Sequence, residues 1–181
     1  ADQMIRAIDE SSRSAGQMLD HAMVTFRADA LAQDELDLAA LMNEVCDRLA
    51  PTADLKDITI KRALPDAPVA FKGDGILLQA ALQNILDNAI KYSSEDSTIT
   101  ASVTVASDLH LSFSDQGRGL DGIDISELTT RFNRGSNAGD VVGSGLGLTI
   151  ADEVARAHGG QLKIVPNDKG VGACVSLTLP R

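Results

Sequence analysis

Residues 82–92 read LQNILDNAIKY and combine a core-facing helix with a polar ridge. Apolar side chains recur at helical spacing at Leu78, Leu82, Ile85 and Ala89. Asn84, Asn88 and Lys91 form a separate ridge at i, i+4 and i+7, directed away from that apolar stripe. Asparagine is a poor helix former because its side chain competes for backbone hydrogen bonds. The ridge is therefore either a solvated face or a set of ligands, since amide oxygens suit Mg²⁺ beside substrate phosphates and Lys91 could meet phosphate charge.

A second polar motif, Asp115-Gln116-Gly117-Arg118-Gly119, ends an alternating apolar strand. The glycines at 117 and 119 permit a sharp turn and a close approach of backbone. A carboxylate beside such a wall can accept a hydrogen bond from an adenine amino group. The alternative interpretation is a simple strand-ending turn.

A third motif, Gly143-Ser144-Gly145-Leu146-Gly147-Leu148, opens a predicted helix. Backbone N–H groups at such a helix start bind anions. A polar loop precedes the motif, which argues against a Rossmann site, and no Gly-Lys-Ser/Thr follows, which argues against a P-loop. A glycine-rich linker is the alternative.

About two dozen residues separate these last two motifs and contain Arg131-Phe132-Asn133-Arg134-Gly135. A connection of that length is uncommon unless it acts as a lid or is disordered. Phe132 could anchor a lid, and Arg131 or Arg134 could reach phosphate when it closes. Packing of Phe132 under a surface loop is the simpler alternative.

Bulk composition excludes several classes of function. The 181 residues are 44% hydrophobic but only 3% aromatic, so an aliphatic core is expected. A net charge of -10 argues against a general nucleic-acid binder. Cys46 and Cys174 lack metal-ligand spacing and are expected to be free thiols in a reducing compartment. No apolar run approaches the ~20 residues of a membrane span, so a soluble, cytoplasmic chain is expected. It lacks an initiator Met, as a piece of a longer protein would.

Helices and mostly antiparallel strands mix without strict alternation, which predicts a two-layer α+β domain. A first helix is expected at 38–49, with Asp37 as its cap and Pro51 as its end or a bend. A second helix is expected to begin at Asp74 or Gly75, and a third to run from about 146 to 158. The segment 34–37 is interpreted as a polar link. Strands are expected at 58–61, 69–71, 98–106, 109–114, 161–165 and 171–179.

The first 30 or so residues carry a heptad seam of small and aliphatic residues from Ala1 to Phe26. Such a helix needs a partner helix, either outside this chain or in a second copy, unless it folds back on its own domain. The three histidines, His21, His110 and His158, are interpreted as structural.

The four motifs, in this order, resemble the catalytic ATP-binding domain of bacterial two-component sensor histidine kinases. That domain belongs to a superfamily shared with gyrase-type topoisomerases, heat-shock chaperone ATPases and mismatch-repair ATPases. Residues 84–92 match its N box, 115–119 its first glycine box, 131–135 its F box and 143–148 its second glycine box. The ending, from His158-Gly159-Gly160 to Leu179-Pro180, is also typical, and the resemblance covers roughly 36–181.

The resemblance implies an α/β sandwich, with a mixed, mostly antiparallel sheet on three helices, called the Bergerat fold. It also implies ATP and Mg²⁺ as cofactors. Asn88 would bind Mg²⁺ with Asn84 close to it, and Asp115 would hold the adenine amino group. The catalytic residues would be Asn84, Lys91 and Arg134, with Arg134 near the γ-phosphate. Further nucleotide contacts would come from Lys91, Tyr92, Gly117, Gly119, Phe132, Gly143, Ser144, Gly145, Leu146, Gly147 and Leu148.

The same resemblance predicts domains and partners. Residues 1–33 would be the second helix of a dimerisation and phosphoacceptor hairpin, and 34–181 the catalytic domain. Expected partners are a response regulator and the hairpin of the same or the sister protomer, in a homodimeric parent at the inner membrane. No nucleic acid is expected.

Two departures refine the predicted reaction. The family's acceptor motif, a His followed by an acid and later a Pro, is absent, and His21 does not fit it. Hydrolytic relatives carry Glu where Asn84 stands, and an amide cannot take a proton from water. Transfer of the γ-phosphate to an external histidine is therefore expected. The alternatives are a degenerate, non-catalytic regulatory module and a serine kinase of the anti-sigma-factor type, which lacks a coiled hairpin.

Overall fold

The computed structural model describes residue 16, residues 31–120, 146–167 and 171–181. The heptad seam therefore lies outside the described residues, apart from Gly16, which is helical. Part of the predicted nucleotide site also lies outside them, namely Arg131, Phe132, Arg134, Gly143, Ser144 and Gly145.

Seven strands and three helices follow one another in the rest of the described chain. They are β1 (Asp34–Asp37), α1 (Leu38–Asp54), β2 (Thr59–Ala63), β3 (Ala70–Gly73), α2 (Gly75–Tyr92), β4 (Thr98–Val105), β5 (Asp108–Ser114), α3 (Gly147–Ala157), β6 (Gln161–Pro166) and β7 (Ala173–Pro180). A five-stranded sheet has the order β2-β4-β5-β7-β6, in which only the β2–β4 pair is parallel. The predicted mixed, mostly antiparallel sheet is confirmed.

One face of this sheet carries the core. Alternate residues of β4 and β5 are almost fully buried, as in Ile99, Ala101, Leu111 and Phe113, while their neighbours are mostly Ser and Thr. This period of two is the pattern of a sheet covered on one side. Helix α2 lies against both α1 and α3, so it is the central helix of the second layer.

The starts of α1 and α2 follow the predicted capping chemistry. Asp37 Oδ1 accepts hydrogen bonds from the backbone N–H groups of Ala39 and Val69, at 3.0 and 2.9 Å. Asp74 caps α2 in the same way, with Oδ1 3.1 Å from the nitrogens of Ile76 and Leu77. Both aspartates satisfy N–H groups that have no partner within a helix.

Two local predictions need correction. The segment 34–37 is not only a link, because it forms β1 and pairs antiparallel with β3 in a separate two-stranded sheet. Its partner lies more than 30 residues away, and four mostly acidic residues carry no strand pattern. Pro51 does not end α1, which continues to Asp54. Pro51 lies in the last turn, so it removes one backbone donor near the end of the helix while the preceding turns keep theirs.

The described histidines have structural roles, as expected. The backbone N–H of Asp74 donates to His158 Nε2 at 3.0 Å, and His158 Nδ1 lies 2.8 Å from the carbonyl oxygen of Val154. A backbone N–H can only donate and a carbonyl can only accept, so the proton is on Nδ1. The ring thus joins the end of α3 to the start of α2. His110 contacts the hydroxyl of Thr178 on the neighbouring strand.

Cys46 and Cys174 are not joined by a disulfide, and Cys46 is buried in α1 while Cys174 is half-buried on β7. Among the helices that the structure describes, none is both long and apolar enough to span a bilayer.

Candidate functional site

The polar ridge of α2 is not a solvated face throughout. Asn84 is only 6% exposed, and its Nδ2 donates to the carbonyl oxygen of Ala80 at 2.9 Å. Asn88, Lys91 and Tyr92 are half-buried in the last two turns. A buried amide in a helix needs a reason, because its polar atoms must be satisfied at the expense of core packing.

Part of the reason is the start of α3, which lies directly over the two asparagines. A Cβ built on Gly147 would be 3.0 Å from Asn84 Oδ1 and 3.3 Å from Asn88 Nδ2. Glycine therefore lets the first turn of α3 approach both amides. The structure thus joins the first and third sequence motifs, which are more than 50 residues apart.

Helix α3 begins without a side-chain cap. Leu146 holds the N-cap position, is 3% exposed and has a side chain that offers no acceptor to the first turn. Leu148 is half-buried. Most helices place Ser, Thr, Asp or Asn at this position. An apolar N-cap suits a helix whose first N–H groups face an anionic ligand.

Asp115 follows β5 and is fixed on several sides. Its Oδ1 accepts hydrogen bonds from the backbone N–H groups of Gly117 and Ala173, at 2.8 and 3.0 Å. Its own N–H donates to the carbonyl oxygen of Ala173, and its carbonyl oxygen accepts from Asn167 Nδ2. Asp115 as a residue is 7% exposed, and both hydrogen bonds that the described residues donate to its carboxylate are on one oxygen.

Burial raises the pKa of the Asp115 carboxyl above its ordinary value, because the charged form loses hydration. The hydrogen bonds from Gly117 and Ala173 oppose this shift without cancelling it. A buried carboxylate with a raised pKa and an oxygen without a described donor is suited to a ligand that brings its own N–H group.

The turn after Asp115 lies against the end of α2. A Cβ on Gly117 would overlap the carbonyl oxygen of Tyr92, so only glycine fits there. Gly119 has a φ of +73°, in the left-handed region that favours glycine. The second motif therefore meets α2 at its last turn. The third motif meets the same helix nearer its middle, at Asn84 and Asn88.

Three residues that support this site were not singled out from the sequence. Asn167 and Gly172 belong to the β6–β7 connection, and a Cβ on Gly172 would overlap the carbonyl oxygen of Asp115. From the sequence alone, Asn167 falls only between the predicted strands 161–165 and 171–179, and Gly172 only in the second strand, although clustered Asn and Gly are also the residues that allow close backbone approach. Lys56 has no local sequence signal and donates to three carbonyls at the end of α2.

A separate open cavity of about 520 Å³ lies between the end of α1 and β2. Its lining includes Ala53, Ile58, Ile60 and Arg62 and none of the motif residues. It is therefore distinct from the place where the three motifs meet.

Residues 73–181 match the family model described as histidine kinase-, DNA gyrase B- and HSP90-like ATPase. The chain belongs to this family. The matched range begins at the end of β3 and includes α2, Asp115 and α3. It therefore contains the elements that meet at the candidate site.

Curated relatives of this ATPase-family chain are sensor kinases. It is 32% identical over 150 residues to the sensor histidine kinase WalK of Bacillus subtilis, covering 80% of this chain and 24% of WalK. It is 31% identical over 186 residues to the signal transduction histidine-protein kinase/phosphatase MprB of Mycolicibacterium vanbaalenii, covering 98% and 36%. The chain thus spans about a quarter to a third of these relatives.

Solved structures agree with the fold of the ATPase family. A mycobacterial sensor histidine kinase MprB superposes with a TM-score of 0.69 at 27% identity, covering 82% of this chain and 97% of that one. The Acinetobacter baumannii histidine kinase AdeS gives a TM-score of 0.75 at 19% identity, covering 99% and 82%. The resemblance to sensor histidine kinases and the predicted sandwich fold are confirmed.

Proposed function

We propose that this domain binds Mg·ATP where the three motifs meet and transfers the γ-phosphate to a histidine on a dimerisation hairpin. The observation that carries the proposal is the convergence of Asp115, the last two turns of α2 and the start of α3. Separately these are a strand-ending acid, a polar helix turn and a glycine-rich helix start. Together they supply an adenine acceptor, amide and ammonium groups, and an anion-binding helix end within one region.

Asp115 would recognise the adenine ring. Its Oδ1 is already engaged by two backbone donors, so Oδ2 would accept a hydrogen bond from the adenine amino group. Because the carboxylate is already fixed, it loses little conformational entropy when the base binds, and this favours affinity. The glycines at 117 and 119 would admit the base close to backbone.

The phosphates and Mg²⁺ would lie between α2 and α3. Asn88 would bind the ion with Asn84 near it, since both amides lie beside the start of α3 at Gly147. Amide oxygens are acceptable Mg²⁺ ligands beside phosphate. When bound, the ion would neutralise phosphate charge. Lys91 and Tyr92 would contact the phosphates or ribose, and the start of α3 would add backbone N–H groups.

The lid residues remain predictions. Phe132 would anchor the lid, Arg134 would approach the γ-phosphate, and the residues from Gly143 to Gly145 would form its hinge. Positioning and charge neutralisation by Lys91 and Arg134 would carry the catalysis.

Transfer is preferred to hydrolysis because of Asn84. Its Nδ2 is bonded to the helix backbone, and an amide cannot accept a proton from water as a carboxylate can. The nucleophile would be an imidazole on a hairpin of the same or the sister protomer. A response regulator would then accept the phosphoryl group from it. The parent protein would be a membrane-anchored homodimer with this domain in the cytoplasm.

Calorimetric titration with a non-hydrolysable ATP analogue, with and without Mg²⁺, tests the nucleotide site. We expect binding that is strengthened by Mg²⁺ and lost in Asp115→Asn, because the new amide nitrogen cannot accept from the adenine amino group. Wild-type chain that shows no binding would contradict the proposal.

Phosphotransfer separates the kinase from a nucleotide-binding regulatory module. The chain is extended with a first hairpin helix carrying a histidine and incubated with Mg²⁺ and γ-labelled ATP. We expect acid-labile, base-stable label on that histidine, and none when the histidine is replaced by Gln. Nucleotide binding without any label would favour the regulatory module instead.

A further inference from the structure

Lys56 forms a three-point contact with the end of α2. Its Nζ lies 2.8 Å from the carbonyl oxygen of Ile90, 3.2 Å from that of Lys91 and 3.0 Å from that of Ser93. A lysine ammonium has three donors, so each of them has an acceptor here. All three acceptors are backbone atoms of one short segment.

These carbonyls need an outside donor. The last four carbonyls of a helix have no partner within it, and in α2 the N–H of Ser93 satisfies only that of Ala89. Lys56 satisfies the next two. Its positive charge also lies at the negative end of the helix dipole, where a partly buried cation is favoured.

The backbone around Lys56 is itself fixed to the segment after α2. The N–H of Asp96 donates to the carbonyl oxygen of Lys56, and the N–H of Thr59 donates to that of Ser97. Asp57 and Asp96 both have positive φ, at 55° and 57°. The backbone of Lys56 is therefore fixed by its own hydrogen bonds, and its ammonium can restrain the end of α2.

The segment held by Lys56 is the one that carries the proposed phosphate contacts. Two of the three hydrogen bonds go to Lys91 and to the residue before it, and the third goes to the residue after Tyr92. Asn88 lies one turn earlier on the same helix. The hydrogen bonds that Lys56 makes to described residues go to backbone carbonyls and not to the side chains proposed to meet the ligand, so its effect would be transmitted through the position of the helix backbone.

We propose that Lys56 is a positioning residue for the triphosphate of ATP: it fixes the last turn of α2 so that Lys91 and Tyr92 meet the phosphates and ribose. The inference rests on the proposed nucleotide site and adds a determinant to it. It concerns the phosphate end of the ligand and leaves the Asp115 end unchanged.

The test compares two ligands on the full 181-residue chain: a non-hydrolysable ATP analogue with Mg²⁺, and adenosine. A variant that merely unfolds part of the population weakens both ligands by the same factor. The ratio of the two Kd values therefore reports positioning of the phosphate contacts, independently of stability.

Lys56→Met keeps the side-chain stem and removes the charge and the three donors. We expect the Kd of the ATP analogue to rise about tenfold, as when a charge-assisted contact is misplaced, and that of adenosine to change less than about twofold. Lys56→Gln, which keeps two neutral donors, should give a smaller change in the same direction. Lys56→Gln is also the variant to measure if Lys56→Met does not fold.

The matched control is His158→Leu, which removes the contact at the opposite end of α2. Asn88 lies roughly 20 Å along the axis from Asp74, at 1.5 Å per residue. We expect His158→Leu to lower the melting temperature but to leave the ratio of Kd values unchanged.

A Lys56 variant that folds and keeps the wild-type ratio, while the wild type binds both ligands, overturns the positioning role alone. Equal losses for both ligands also overturn it and assign Lys56 to stability. Failure of the wild-type chain to bind the ATP analogue overturns the proposed function as well.

Discussion

At the residue scale, Asp115 combines a structural and a predicted recognition role. One carboxylate oxygen holds the turn after β5 and the start of β7 together. The group is nonetheless buried, which raises the pKa of its carboxyl. A carboxyl with a raised pKa becomes less favourable for stability as pH rises, a cost that is common at residues kept for function.

Asp115→Asn should separate these roles. A raised pKa in the folded state means that the contribution of this carboxyl to stability is fully present below its unfolded pKa. It is lost as pH rises through the folded pKa. Asparagine keeps the Oδ1 acceptor and removes the titration.

The free energy of unfolding of Asp115→Asn relative to wild type should therefore increase between about pH 3.5 and pH 7. Urea titrations across that range would measure the difference. A difference that is flat or falls with pH would contradict a raised pKa at this site.

The two cysteines should differ in reactivity. Burial raises the pKa of the Cys46 thiol, with Asp47 adding to the rise and Arg62 opposing it. Less thiolate at a given pH means slower reaction, and the side chain is also inaccessible.

A thiol reagent applied to the native chain should therefore modify Cys174 first and Cys46 only on unfolding. Peptide mapping of the labelled chain measures this, with Cys174→Ser as the control. Rapid labelling of Cys46 in native Cys174→Ser would show that α1 is not packed as described.

At the scale of elements, α2 is the element on which the site depends. Its start is joined to α3 by His158, its middle lies under Gly147, and its end contacts Gly117 and Lys56. These contacts come from both ends of α3, from the turn after β5 and from the segment that follows α1. The orientation of its polar ridge is therefore set by tertiary packing rather than by the helix itself.

Gly117→Ala tests the contact between the second motif and the end of α2. Its Cβ would overlap the carbonyl oxygen of Tyr92, and backbone cannot move as easily as a flexible side chain. We expect a loss of about 1–3 kcal/mol in the free energy of unfolding, together with weaker nucleotide binding.

Gly16→Ala is the matched control for this substitution, because the residue is helical and, in the part of the chain that the structure describes, no atom outside its own helix backbone lies within 4 Å of its Cβ position. It should not destabilise the chain, since alanine is the better helix former. Equal stability of Gly117→Ala and wild type would mean that the two motifs do not touch.

At the scale of the whole molecule, the domain is a sheet with one covered face and a helical layer that contains the proposed site. A ligand bound between α2, α3 and the end of β5 would join elements from three parts of the chain. Binding to the folded state alone stabilises it by mass action.

An ATP analogue with Mg²⁺ at a hundred times its Kd should therefore raise the free energy of unfolding by about 2.7 kcal/mol. For a chain of this length the melting temperature should rise by roughly 5–10 °C. Scanning calorimetry at several ligand concentrations measures the rise, which Asp115→Asn should lack. A rise of the same size in that variant would place the nucleotide elsewhere.

Much of the fold could be predicted from local chemistry. The period of two in 98–106 and 109–114 identified strands β4 and β5, and an aspartate before each of α1 and α2 identified both helix starts. Strand β1 could not be predicted, because it is stabilised by pairing with the distant β3 and not by its own residues. The support from Lys56, Asn167 and Gly172 was missed for the same reason.

By itself, the sequence determined which groups are available to a ligand: two asparagines on one ridge, an acid before glycines, and glycines before a helix. Those features follow from residue type and spacing, which act over a few residues. Only the tertiary structure decided that Gly147 covers Asn84, that Gly117 lies on Tyr92 and that Lys56 holds the end of α2. Such contacts join residues 25 to 63 positions apart, and they form only when burial of the shared core brings the two layers together.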